Sequence, residues 1–198
     1  MKQKALLLCI ALLFSACNQE RLPILANPFD SNDPTPVIPP FAFMDQDSTI
    51  VTDKTFDGKV YVADFIFLAC PGICPKMNHA IHEVYQAFAL DDRVLFLSHT
   101  IDPEHDSIPA LKAYAKNLGI NSKKWHFVHG NADSIYQLAN KHYFTKVYPD
   151  STNNRNFFHG SGLLLIDKQK HIRGVYDGTQ EVDTKKLIKN IKLLLEEN

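Results

Sequence analysis

The chain reads as an α/β protein: a central mixed β-sheet flanked by helices, with an N-terminal β-hairpin. Three observations predict this. Val60 to Leu68 (VYVADFIFL) is a nearly continuous apolar run of β-branched and aromatic residues, as expected of a strand buried on both faces. Strand-like runs then alternate with segments whose apolar residues recur at helical spacing, which implies a sheet with helices on its faces. A cysteine pair follows the first long strand at the mouth of the first helix, beyond the carboxyl end of a strand, where open α/β sheets carry their sites.

Phe41 to Met44 and Thr49 to Thr52 flank a polar Asp45-Gln46-Asp47 turn and predict the hairpin. Pro75 to Ala89 predicts a helix, with Met77, Ile81, Val84, Tyr85 and Phe88 on one face. Val94 to Ile101 is the next buried strand. Ser107 to Leu118 is a helix with Pro109 in its first turn and Gly119 as its stop. Trp125 to His129 is a short strand, and Asp133 to His142 a helix with Ile135, Leu138 and Ala139 inward. Leu163 to Asp167 and Ile172 to Tyr176 form a second hairpin across Lys168-Gln169-Lys170. Asp183 to Leu195 closes the chain as a helix with Leu187, Ile188, Ile191, Leu194 and Leu195 inward.

The 198 residues suit one domain and a tail. Lys2 and Lys4 precede the short apolar run Ala5 to Phe14, which is too short to span a bilayer as a permanent helix. The run ends in Leu13-Phe14-Ser15-Ala16-Cys17, which resembles the lipobox of bacterial lipoproteins. We therefore expect a signal peptide over 1–16, lipidation of Cys17, an extended Pro-rich linker over 17–40, and a domain over 41–198 held at a membrane of the cell envelope. The processed chain would carry 19 basic and 22 acidic residues. There is no basic stripe to recognise a phosphate backbone, so nucleic acid is not an expected partner. The lysines of the last helix read as a solvated face.

Of four cysteines, Cys9 falls in the signal peptide and Cys17 at its end, leaving Cys70 and Cys74 in the domain. Export places this pair in a disulfide-permissive compartment. Two cysteines four apart do little to staple a fold of this size, so they read as chemical. Along a helical turn, both sulfurs would share a face and meet one metal ion or each other. Thiols at a helix N-terminus are held toward the thiolate, which is both nucleophile and metal ligand. Soft thiolates select Cu(I) or zinc over hard cations.

A cysteine pair placed so is the thioredoxin arrangement. Cys70-Pro71-Gly72-Ile73-Cys74-Pro75 after the Val62-to-Phe67 strand resembles the SCO/SenC family of copper proteins, which has Cys-x-x-x-Cys where thioredoxins have Cys-x-x-Cys. Val94 to Ser98, Asp102-Pro103-Glu104-His105-Asp106 and Leu111 to Ala115 are similar to that family's next strand, acidic segment and helix. His159, just before Gly162 to Asp167, matches the family's metal-binding histidine. The resemblance implies a thioredoxin-like fold and copper, Cu(I) or Cu(II), on Cys70, Cys74 and His159. It also implies delivery to the binuclear centre of cytochrome c oxidase, with the copper-bearing subunit or another copper-transfer protein as partner. Gly72 stands where the family usually has an acid.

A thiol–disulfide oxidoreductase is the alternative, with Cys70 and Cys74 catalytic; it has no need of His159, and the segment before Leu163 lacks the proline such enzymes place opposite the pair. The polar stretch Lys146 to Asn156 reads as an insertion, and the Asn- and Gly-rich stretch 153–162 as a movable loop. His99 and His126 fall in strands as core or edge polar groups. His79 and His82 point mainly to solvent. Asp102 and Asp106 are expected to cap the following helix, with orientation of a ligand as the alternative. Asp64 resembles the buried acid of thioredoxin-like proteins.

Overall fold

The computed structural model describes residues 21–28, 32–70, 72, 74–150 and 153–197; for Cys74 and 153–156 it describes the backbone. The signal-peptide and Cys17 expectations lie outside these residues. Strands β1 (Ala42–Asp45) and β2 (Ile50–Thr52) form the expected hairpin. Its turn closes on Asp45, whose Oδ1 accepts the N–H groups of Asp47 and Thr49 at 2.9 and 3.0 Å. Then follow β3 (Val60–Ile66), α1 (Cys74–Phe88), β4 (Val94–Thr100), α2 (Ile108–Asn117), β5 (Trp125–His129) and α3 (Ala132–Lys141). Strands β6 (Val147–Asp150), β7 (Asn153–His159), β8 (Gly162–Ile166) and β9 (Ile172–Asp177) precede α4 (Glu181–Glu196). Gly119 stops α2 as expected, at a φ of +65° that a side chain would resist.

The sheet order is β2-β1-β5-β4-β3-β8-β9, with β5, β4 and β3 parallel and the other pairings antiparallel. This is the mixed sheet the sequence predicts. β3 lies at its heart, and none of its seven residues is more than 3% exposed. Alternate residues feed two cores. Val60, Val62 and Ile66 meet α1, α2 and α4 through Ile81, Val84, Leu111, Leu187 and Ile191. Tyr61, Ala63, Phe65 and Phe67 meet α3 and the β1–β2 hairpin through Ile135, Leu138 and Phe43. Each large side chain buried this way contributes about 1.5–3 kcal/mol.

Two expectations are corrected. The stretch expected to be a movable loop is a β-hairpin: β6 and β7 pair antiparallel, with Val147 opposite His159 and Tyr148 opposite Phe158. Alternation explains it, because Val147 and Phe157 turn inward onto the core while Tyr148 and Phe158 stack outside at 5.0 Å. The described part of the Pro-rich segment is not a free spacer either. Ile38 is buried, Leu25 and Leu22 pack on the two cores, and Val37 bridges His171.

Two ionisable residues lie wholly inside the sheet. Asp64 accepts the Ser98 hydroxyl at 2.5 Å, and Ser98 accepts the Trp125 indole N–H at 2.9 Å. His99, opposite Phe65 in the register, stacks on that ring at 4.9 Å with Tyr143, Phe41 and Phe43 around it. Burial pushes the Asp64 carboxyl up to about 7 against the downward pull of Ser98, and pushes the His99 imidazole down to about 4. The unfolded chain titrates these groups near the ordinary 3.8 and 6.5. Asp64 therefore holds an extra proton in the folded state, and its contribution is lost as pH rises from about 4 to 7. His99 lacks a proton the unfolded chain binds, and its contribution is lost as pH falls from about 6.5 to 4. The two slopes oppose each other. Unfolding free energies from urea titrations across pH 4 to 7 are expected to rise with pH in Asp64→Asn and fall with pH in His99→Phe, relative to the parent, by up to about 4 kcal/mol over the range. Profiles parallel to the parent in both variants would contradict this assignment.

Candidate metal centre

Past Ile66 the chain leaves the sheet through Phe67 and Leu68 into a turn, where the Cys70 N–H donates to the Phe67 carbonyl at 3.3 Å. Cys70 is a half-buried free cysteine packed against the core that holds Phe67. Cys74 is the first residue of α1. The expectation of two sulfurs on one helical face is corrected, because Cys70 stands on the turn before the helix. The sequence supplies the reason: Cys70 precedes Pro71, and a proline disfavours helical backbone in the residue before it.

The turn is tied down by Asp106. Its Oδ2 accepts the Leu68 N–H at 3.0 Å and the Thr100 hydroxyl at 2.6 Å, joining the cysteine turn to the end of β4. Thr100 in turn accepts the Asp102 N–H at 3.1 Å. Burial raises the Asp106 carboxyl above its ordinary range, and the Thr100 and Leu68 bonds oppose that rise. The capping expectation is corrected. Ser107 occupies the N-cap of α2 without a side-chain bond, and Asp102 accepts from His105 Nδ1 at 2.7 Å instead. The competing reading, an acid that orients the ligand-bearing segment, fits Asp106.

His159 ends β7. Its ring meets Phe67 edge-on, centroids 5.6 Å apart at 85°, and Phe157 packs on the same Phe67 at 5.2 Å. Nδ1 lies 3.1 Å from the Gly160 carbonyl, which accepts only, so the proton sits on Nδ1 and the ring's lone pair on Nε2. Burial lowers the imidazole below its ordinary pKa, against the Gly160 bond. A neutral imidazole is the form that binds metal. The structure thus brings Cys70 and His159, 89 positions apart in sequence, to one residue, Phe67.

Among the described residues no group of three His, Cys, Asp or Glu side chains is placed to hold a metal ion; the Cys74 side chain is outside that set. Three of the other histidines are held by hydrogen bonds away from this turn. His126 Nδ1 meets Asp45 Oδ2 at 2.9 Å, His129 Nε2 donates to the Pro103 carbonyl at 2.9 Å, and His82 Nε2 donates to the Leu118 carbonyl at 3.1 Å. The residue that composition gave no reason to single out is Phe67. Its place is implied by strand alternation, which puts it on the same face as Phe65 and Tyr61. Phe67→Ala is expected to expose the His159 ring and move its pKa up toward the ordinary 6.5 in the metal-free chain, read by NMR of the imidazole nitrogens. An unchanged titration would contradict the role given to Phe67.

The SCO1/SenC family model matches residues 29–196. A SCO1/SenC family lipoprotein from Bacillus anthracis is 25% identical, with a TM-score of 0.74 over 80% of this chain and 95% of that one. BsSco, described as having a disulfide switch and as a member of the Sco family of cytochrome c oxidase assembly proteins, is 26% identical, with a TM-score of 0.70 over 81% and 94%. Bradyrhizobium japonicum ScoI, solved with copper bound, shares the fold at 22% identity, with a TM-score of 0.65 over 80% and 99%. With the family model covering most of the sequence and the thioredoxin-like sheet in place, the chain belongs to the SCO1/SenC family.

Proposed function

We propose that this protein carries copper on Cys70, Cys74 and His159 and hands it on in the assembly of the binuclear copper centre of cytochrome c oxidase. The observation that carries the reading is the neutral His159 imidazole packed edge-on against Phe67, the residue whose carbonyl accepts the Cys70 N–H in the turn before the helix that Cys74 opens. Two thiolates and one imidazole suit Cu(I), and the nitrogen extends the set to Cu(II). Copper is cargo here, so a site at the rim of the sheet that gives up its ion suits the task better than a closed cage. That a related ScoI binds copper, and that BsSco belongs to oxidase assembly proteins, support this reading.

The same proposal includes a signal peptide over 1–16, acylation of Cys17 and an extracytoplasmic location; the Bacillus anthracis relative is described as a lipoprotein. A second reading, thiol–disulfide exchange by Cys70 and Cys74, is favoured by the free thiol at the mouth of α1 and by the disulfide switch of BsSco.

Copper titration of the reduced domain from Arg21 onward separates the two. The expected result is about one equivalent of Cu(I) or Cu(II), with thiolate-to-Cu(II) charge-transfer bands that His159→Ala changes or loses. Weak binding, or spectra indifferent to His159→Ala in a domain that reduces disulfides efficiently, would move the assignment to exchange.

A further inference from the structure

Composition alone makes residues 17–40 a spacer, and 24 residues reach up to about 80 Å when extended. The contacts remove most of that reach. The Leu25 N–H donates to the Ile172 carbonyl at 2.8 Å and the Ile38 N–H to the Lys170 carbonyl at 3.0 Å, so both ends of the segment are bonded to β9 and the turn before it. Ile38 is 3% exposed. One side chain gathers the rest. Arg173, on β9, pairs with Asp167 at 2.9 Å and with Glu197 at 2.8 Å. It also donates to the carbonyls of Pro23 and Leu22, and the Leu22 N–H donates to Glu197 at 3.1 Å. A buried guanidinium with two carboxylates and two carbonyls around it is costly to release, because each acceptor would lose a charged donor.

The place of this clasp sets an orientation. Tyr61 pairs with Ile166 and Ala63 with Leu164, so the β8–β9 turn lies at the start of β3, whereas Cys70 follows its end and His159 precedes the start of β8. Seven residues of β3 separate the two poles by about 20 Å. From Leu22 to Cys17 the chain has five residues, which span at most about 18 Å.

We propose that residues 21–28 and 32–40 form a docked strap, and that its Arg173 clasp sets the domain on a lipid bilayer with the β8–β9 turn toward the membrane and the Cys70–His159 pole turned away. The bilayer part rests on the proposed acylation of Cys17; the docking of the strap does not. The consequence is a metal-bearing pole presented at a fixed height to a partner that projects from the same membrane, in place of a domain sweeping a wide volume.

The test uses the full chain purified from bacterial membranes into phosphatidylethanolamine–phosphatidylglycerol nanodiscs, with intact mass read first. With a nitroxide-headgroup lipid present, the amide signals of Lys168 to Lys170 are expected to be lost and that of Gly72 retained. Hydrogen exchange at Leu25 and Ile38 is expected to be about a hundredfold or more slower than in an open chain. Arg173→Ala is expected to lose the protection at Leu25 and the difference between the poles. An unacylated mass would overturn the anchor and the bilayer orientation together, while exchange still decides the strap. An acylated chain broadened equally at both poles would overturn the orientation, and open-chain exchange at Leu25 and Ile38 would overturn the strap. Protection that survives Arg173→Ala would overturn the clasp. Should that variant fail to fold, the parent's exchange and broadening decide the proposal on their own.

Discussion

The constraint on which the rest depends is the burial of β3 on both faces. A strand with no solvent side must satisfy its backbone through neighbours on both edges and its side chains through cores on both surfaces. β4 and β8 supply the edges; α1, α2 and α4 form one core, and α3 with the first hairpin the other. The strand's end is then the best-fixed point from which a loop can leave. Phe67 continues the alternation one step beyond β3, and that step gives His159 and Cys70 a shared support. Asp106 fixes the loop from the second side, so the cysteine turn hangs between two parallel strands.

Such a scaffold separates its duties by pole. One end of the sheet carries the cysteine turn that follows β3 and His159, which ends β7. The opposite end carries the charged cluster of Arg173, Asp167 and Glu197, which ties the two ends of the described chain to β9. Rigid strands between the poles mean that whatever holds one end sets the direction of the other. For the proposed copper carrier, this arrangement would limit encounters to partners that approach from one side.

The sheet was legible in the sequence because its central strands are unbroken apolar runs and its helices show a clean apolar face. The geometry of the cysteine turn was not legible from spacing, which suggests a helical pair, whereas a proline after Cys70 disfavours helical backbone there. His159 was singled out through resemblance; its place at the end of a strand, edge-on to Phe67, was not legible because nothing in its local pattern marks it. The β6–β7 hairpin was hidden because its outward residues and turn are polar, and its inward ones are too few to show a period. Asp106 was read as a helix cap because an acid just before a helix usually is one, while its partners, Thr100 and the Leu68 amide, become neighbours only when β3 and β4 pair. The strap was hidden by its prolines. They exclude regular structure but leave isolated apolar residues, Leu22, Leu25 and Ile38, free to dock one at a time.

The central claim is that Cys70, Cys74 and His159 converge on one copper ion. X-ray absorption of the Cu(I)-loaded chain tests it directly. The account predicts a monomeric site with two sulfur neighbours and one nitrogen neighbour, the imidazole signature vanishing in His159→Ala. A shell of sulfur alone that is indifferent to His159, or a shell of nitrogen and oxygen without sulfur, would contradict it.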